Sequence, residues 1–294
     1  MTLVDYLAAT PWAFTVAAAV LGLLMGSFLN VVIHRLPLMM ERAWRAHCRD
    51  VFITGPAPPA EDEPHLNLLT PRSRCPHCGH AISALENIPV LSYVWLKGRC
   101  TGCGRRISPR YPIVELASGI LSAITAWHFG FGWAAGTALL LTWALIALTM
   151  IDFDRQLLPD DITLPFLWLG LLLSLAGLFA DTTASVIGAA AGYLSLWVVY
   201  LLFKLVTGKE GMGYGDFKLL AMLGAWLGWQ ALPVIIVLSS VVGALVGISL
   251  IVFRGRDKNI PIPFGPYLAA AGWLTLLWGH EIVQGYFSML GLPR

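Results

Sequence analysis

Long apolar runs broken by short polar segments set the pattern of this chain. They lie at about Trp12–Ile33, Ile113–Phe129, Trp133–Ile151, Ile162–Ala180, Ala184–Val206, Phe217–Leu227, Ala231–Phe253 and Phe264–His280. A helix needs roughly 17–25 apolar residues to cross a bilayer. The run from Phe217 is short, and it would have to borrow from the glycine-rich segment before it or the Gly228-Trp229 turn after it. The pattern predicts an all-α polytopic membrane protein of about eight transmembrane helices. Between the first two runs the apolar pattern lapses and charged residues crowd in. The organisation expected is a first transmembrane helix over 1–33, a loop domain over 34–112 and a seven-helix membrane core over 113–294.

Composition agrees: 57% hydrophobic and 12% charged residues, with mean hydropathy +0.72, exclude an ordinary soluble domain. The N-terminus has Asp5 and no Lys or Arg before the first run, and no small-residue cleavage site follows it, so that run is expected to be retained rather than cleaved as a signal peptide. Arg35, Arg42, Arg45, Arg49, Arg72, Arg74, Lys97, Arg99, Arg105, Arg106 and Arg110 all fall in the long loop. Alternating sides from there, Arg155, Lys204, Lys209, Lys218, Arg254, Arg256 and Lys258 land on the same side, and only Arg294 falls opposite. The positive-inside rule then makes the loop cytoplasmic and both termini external. Charge segregated in this way, with a net of only +2, speaks for a lipid bilayer and against nucleic acid as a partner. The proline-rich, acidic segment Thr54 to Pro64 should be a flexible connector.

That topology places two carboxylates on the cytoplasmic side, Asp152 at the end of the third run and Asp216 at the start of the sixth. Asp216 closes the sequence Gly211-Met212-Gly213-Tyr214-Gly215-Asp216. Ionisable groups at membrane depth are costly and usually serve function. Two carboxylates that share a site resist double ionisation, so one can activate a water while the other protonates a departing amide. The pair therefore suggests an aspartyl protease, although either residue alone could simply end a helix. Asp154 is the nearest rival of Asp152. Asp160 and Asp161 are expected as helix N-caps, and Lys218 as an interfacial cation.

In the loop, Cys75-Pro76-His77-Cys78 and Cys100-Thr101-Gly102-Cys103 form two C-x-x-C knuckles. Their spacing fits a four-cysteine structural zinc site, with a disulfide pair or a redox dithiol as the competing readings. A cytosolic address opposes stable disulfides. Four thiolates would close the coordination shell, so the metal would fold the loop rather than perform chemistry. Cys48 is left over as a free thiol.

Taken together, these segments resemble the type IV prepilin peptidases, bifunctional leader peptidases and N-methyltransferases of pilus and type II secretion systems. The residues that carry the resemblance are Gly26 through Pro37 (GSFLNVVIHRLP), the two knuckles, Asn87-Ile88-Pro89, and Ser108-Pro109-Arg110-Tyr111-Pro112 with Glu115. It continues through Ile151-Asp152-Phe153-Asp154, Leu158-Pro159-Asp160, Gly213 through Leu219 (GYGDFKL) and Ile262 through Tyr267 (IPFGPY). The resemblance implies an inner-membrane enzyme that removes the leader of prepilins and pseudopilins on the cytoplasmic side, with Asp152 and Asp216 as the cleaving residues. It also implies N-methylation of the new terminus from S-adenosylmethionine, which the family ties to the large loop. That makes Glu86, Lys97, Gly98 and Arg99 candidates for the cofactor. The residues themselves show no G-x-G-x-x-G fingerprint, so methyl transfer follows from the resemblance alone.

Other membrane proteases fit less well. His280-Glu281-Ile282-Val283-Gln284 stops short of H-E-x-x-H, and Leu116-Ala117-Ser118-Gly119 lacks the first glycine of a rhomboid motif. A presenilin-type enzyme would share only the Gly-x-Gly-Asp element. A Gly-x-Gly-Asp protease without transferase activity is the closest alternative. A transporter with a zinc-folded loop would need charges near the middle of the bilayer, and the fourth, fifth and seventh runs have none.

Overall fold

The structure, a computed structural model, describes residues 2–52, 66–254 and 262–289. The connector from Thr54 to Pro64 and the basic residues Arg256, Lys258 and Arg294 lie outside them. Ten α-helices are described: α1 (Leu3–Ala9), α2 (Pro11–Phe52), α3 (Leu91–Trp95), α4 (Arg110–Phe129), α5 (Trp133–Arg155), α6 (Asp160–Ser174), α7 (Thr182–Thr207), α8 (Tyr214–Leu227), α9 (Leu232–Arg254) and α10 (Gly265–Met289). Each of the eight predicted apolar runs is a helix, and among the described residues no strand forms beyond isolated bridges. Among the described residues, five helices (α2, α4, α5, α7 and α9) are long and apolar enough to cross a membrane.

The largest departure from the apolar pattern is α2, which continues well past Ile33 as far as Phe52 with Pro37 inside it. The continuation is polar but rich in good helix formers, Leu38, Met39, Met40, Glu41, Arg42 and Ala43. Glu41 and Arg45 pair at 2.6 Å one turn apart. Helix α6 stops early, at Ser174, where residues 175–177 turn and Gly177 takes φ 60°. Helix α8 does borrow from the glycine-rich segment, starting at Tyr214 with Gly213 as its N-cap. Pro159, not an aspartate, caps α6, and Asp160 and Asp161 occupy its first turn. There they complement the positive end of the helix rather than close it.

The chain forms two compact units, Met1–Phe131 and Gly132–Arg294. In the first, α2 packs along α4 through small residues: a Cβ at Gly26 would meet the Glu115 backbone at 2.6 Å, so only glycine permits that approach. The cysteine module hangs between these two helices. In the second unit α8 is the core. Phe217, Leu219, Leu220, Met222, Leu223 and Trp226 are almost wholly buried against α6, α7 and α10. Lipid is as apolar as these side chains, so their burial stabilises the helix contacts through close packing rather than release from water. The Trp226 indole also donates to the Phe166 carbonyl at 2.7 Å, which fixes α6 to α8.

Candidate functional site

Asp152 lies in the last turn of α5, just before Gln156 turns left-handed and donates its N–H to the Asp152 carbonyl at 2.9 Å. Asp216 is the third residue of α8, presented by the Gly213 cap. Both side chains are buried, with exposures of 5% and 7%, and they stand near enough for their charges to act on each other. Asp154, by contrast, is exposed. Asp160 faces outward and accepts from Lys218 Nζ at 2.7 Å. Burial thus separates the pair from the neighbouring acids.

Sequence reasoning missed what holds the pair in place. The N–H of Gly265, the first residue of α10, donates to Asp152 Oδ2 at 3.0 Å. Buried Leu158 is wedged beside it: a Cβ at Gly215 would stand 2.8 Å from Leu158 Cβ, and one at Gly265 would stand 3.2 Å from Leu158 Cδ1. The available signal was Gly265-Pro266, since proline in a first turn marks a helix N-terminus with unpaired N–H groups. Two carboxylates so placed can pass protons to and from a water and a scissile amide.

The two knuckles fold alike. Cys75 N–H donates to the His80 carbonyl and Cys100 N–H to the Arg105 carbonyl, both at 2.9 Å. Gly79 and Gly104 take φ of 72° and 69°, the left-handed region these turns require. The four sulfurs of Cys75, Cys78, Cys100 and Cys103 all lie within 4.8 Å of one another, and none is in a disulfide. Backbone N–H groups of His77 and Cys78 pull the Cys75 thiol down to about 6. At Cys78 the His80 N–H pulls the same way, but desolvation and the sulfurs of Cys103, Cys75 and Cys100 outweigh it and push the thiol up to about 12. A thiol held low beside one held high, with four sulfurs gathered in one place, is an arrangement that a cation would stabilise as thiolates, which is the chemistry of a metal site. Cys48 is exposed and outside the cluster.

Of the four cofactor candidates, Glu86 lines a cavity of about 580 Å³ between α2, the cysteine module and the start of α4, whereas Lys97, Gly98 and Arg99 do not. Glu86 is also a brace. The Thr101 hydroxyl donates to it, as does the Ser83 N–H at 2.7 Å, and these bonds hold its carboxyl down to about 2. Lys97 and Gly98 form the left-handed turn after α3, with φ of 52° and 64°. Arg99 pairs with Arg106 in an isolated bridge.

Residues 20–129 match the bacterial peptidase A24 N-terminal domain, and residues 139–248 match the type IV leader peptidase family. The chain is 59% identical over 292 residues to the prepilin leader peptidase/N-methyltransferase of Stutzerimonas stutzeri, covering 99% of this chain and 100% of that protein. The chain belongs to the type IV leader peptidase family. The proteins of the same description from Pseudomonas aeruginosa and Aeromonas hydrophila are each 57% identical, over 291 and 278 residues. These alignments cover 99% of this chain and 99% of the first protein, and 95% of this chain and 95% of the second. No solved structure matches. In this family member each match falls inside one compact unit, and the peptidase match contains both Asp152 and Asp216.

Proposed function

We propose that this protein removes the leader of type IV prepilins and pseudopilins and then N-methylates the new terminus, with Asp152 and Asp216 as the cleaving pair. The observation that carries the reading is the burial of these two carboxylates in one site, within the segment that matches the leader peptidase family. One carboxylate takes a proton from the attacking water. The other gives a proton to the amide nitrogen as the bond after the leader breaks. Gly265 holds Asp152 by its backbone and Gly213 presents Asp216, so the two oxygens meet the substrate without rearrangement.

The cysteine cluster suits zinc. A tetrahedral ion with bonds of about 2.3 Å spaces its sulfurs by roughly 3.8 Å, and Cys75–Cys103 and Cys78–Cys100 are each 3.9 Å apart. Four thiolates leave no open position, so the ion would tie the two knuckles into one module. S-adenosylmethionine supplies an electrophilic methyl group when bound. The distribution of charge along the chain supports an inner-membrane protein whose basic loop and aspartate ends face the cytoplasm.

Co-expression with a model prepilin, followed by mass spectrometry of the product, tests both halves. The expected product lacks the leader and carries one added methyl group. Uncut prepilin overturns the peptidase reading, and a cut product without the methyl group overturns the transferase half alone.

A further inference from the structure

We propose that Tyr200, on α7, is a positioning residue for Asp216, acting through the rings of Tyr214 and Phe217 to hold the first turn of α8. The proposal rests on the peptidase reading and adds to it a residue outside the aspartate pair.

The turn that carries Asp216 is weak by itself. Gly213 caps α8 without a side-chain hydrogen bond, and Gly215 is the second residue of the helix. Helix starts leave N–H groups unpaired, and glycine is a poor helix former. Packing from outside must therefore hold the turn. At 3.6 residues per turn, Tyr214 and Phe217 share one face of α8 and Asp216 leaves by another. Leu158 stands against Gly215. On the aromatic face the support is Tyr200.

Tyr200 is only 3% exposed although it lies near the end of α7. Its ring centroid stands 5.5 Å from that of Tyr214 and 5.7 Å from that of Phe217, and those two rings are 5.4 Å apart. Tilted and edge-on rings at such distances attract one another, so the three form one wedge. Tyr193 adds an edge contact to Phe217 at 5.8 Å. The Tyr200 hydroxyl accepts from Lys204 Nζ at 3.2 Å and donates to Glu210 Oε1 at 3.3 Å, and Lys204 donates to the same oxygen at 2.8 Å. Glu210 belongs to the segment between α7 and α8, so one tyrosine fastens both that segment and the turn after it. Gly211 backs onto the Phe203 ring, where a Cβ would stand 2.7 Å away. The Lys204–Glu210 pair is open to solvent, and pairs of that kind contribute little. The buried ring therefore does most of the holding.

Cleavage kinetics of the purified full-length protein on a model prepilin test this role. Tyr200→Leu should lower kcat by about tenfold or more, approaching the loss for a misplaced catalytic group, with KM within about twofold. Tyr200→Phe keeps the ring and should keep kcat within about threefold. The Asp216 N–H donates to the Gly213 carbonyl at 3.2 Å. Amide exchange of residues 214–217 should therefore quicken in Tyr200→Leu while that of 144–151 keeps the parental rate, a pattern that general destabilisation does not give. Leu139→Ala, at a buried position of α5, is the packing control and should lower the thermal midpoint with kcat within about twofold. If Tyr200→Leu does not fold, Tyr214→Leu, at an exposed position, decides: kcat should fall with KM unchanged. Where both fold, their double variant should lose no more than the larger single loss, because they act through one contact. Parental kcat in Tyr200→Leu, an equal loss in Leu139→Ala, additive losses, or a rise in KM alone in Tyr214→Leu overturns the proposal. A parent that leaves prepilin uncut sinks the peptidase reading itself, whereas these outcomes beside a cutting parent sink only the role of Tyr200.

Discussion

The Gly265 N–H donates to Asp152 Oδ2 at 3.0 Å, joining the N-terminus of α10 to the last turn of α5 across 113 positions of sequence. Helix N-termini carry unpaired N–H groups and partial positive charge, so a carboxylate is well placed there. The contact leaves no room for a side chain, since a Cβ at position 265 would stand 2.6 Å from the same oxygen. Gly265→Ala should therefore displace Asp152 and lower the leader-cleavage rate by about 100-fold, the scale of a misplaced catalytic group. Quantitative cleavage assays on membranes with equal protein content check this, and parental rates would refute the positioning role.

Asp152→Asn and Asp216→Asn keep the shape of each side chain but cannot exchange a proton. Each should cut leader cleavage by about 10²-fold or more, the usual contribution of a general acid or base. Asp154→Asn should stay near the parent, because its side chain is exposed although it lies only two residues beyond buried Asp152. Product mass spectrometry over a time course distinguishes these outcomes. Loss of activity in Asp154→Asn with retention in Asp152→Asn would move the catalytic role.

Asp160 offers a sharper control because it is ion-paired rather than buried. It meets Lys218 at 2.7 Å, with side-chain exposures of 49% for Asp160 and 29% for Lys218. A pair this open to solvent contributes about 0–1 kcal/mol. Asp160→Asn should lower the thermal midpoint slightly and leave cleavage within about twofold of the parent, the expectation for loss of a surface pair. A loss comparable to that of Asp216→Asn would place Asp160 in the chemistry.

Those contrasts mark what was legible in the chain. The apolar runs became helices because membrane span length and backbone satisfaction leave no other choice. The knuckles converged because short C-x-x-C turns present thiolates in a fixed geometry. Asp152 and Asp216 could be singled out by their place at helix ends. The polar half of α2 was hidden because its helix is carried by propensity and ion pairing, which leave no apolar run. The Gly265 contact was hidden for a different reason: a backbone N–H has no side-chain signature, and its partner lies in another helix. Asp160 and Asp161 looked like caps because cap and first-turn preferences overlap, and Pro159 took the capping position.

Replacing Cys75 and Cys78 together by Ser should abolish bound zinc and unfold the module, which has no regular core of its own. Each ligand must be a thiolate, so acidification of the parent should release the ion as well. Methylation should fall further than cleavage, because the cavity shares its wall with Cys75 while the aspartates belong to the second unit. Metal analysis and the two product assays measure these effects separately. A parental protein without stoichiometric zinc when purified free of chelators would contradict the four-thiolate site.

Gly98 tests whether the module acts through the shape of the cavity. Its φ of 64° is left-handed, and a Cβ there would stand 2.9 Å from the Tyr93 ring. An L-residue in that region costs about 1–2 kcal/mol, so Gly98→Ala strains the turn and pushes Tyr93 from its place. Gly98→Ala should weaken S-adenosylhomocysteine binding and methylation by about tenfold, an effect of roughly 1.4 kcal/mol. Cleavage should fall much less. Shortening the ring that receives the clash supplies the internal check. In the double variant Gly98→Ala with Tyr93→Leu, the second change relieves the contact but removes the aromatic wall. Module stability should recover in part, by the share of the loss that the clash causes, measured as zinc retention on heating, while binding should stay weak. Recovery of both would mean that Tyr93 is only a packing residue, and recovery of neither would mean that the strain lies in the turn itself.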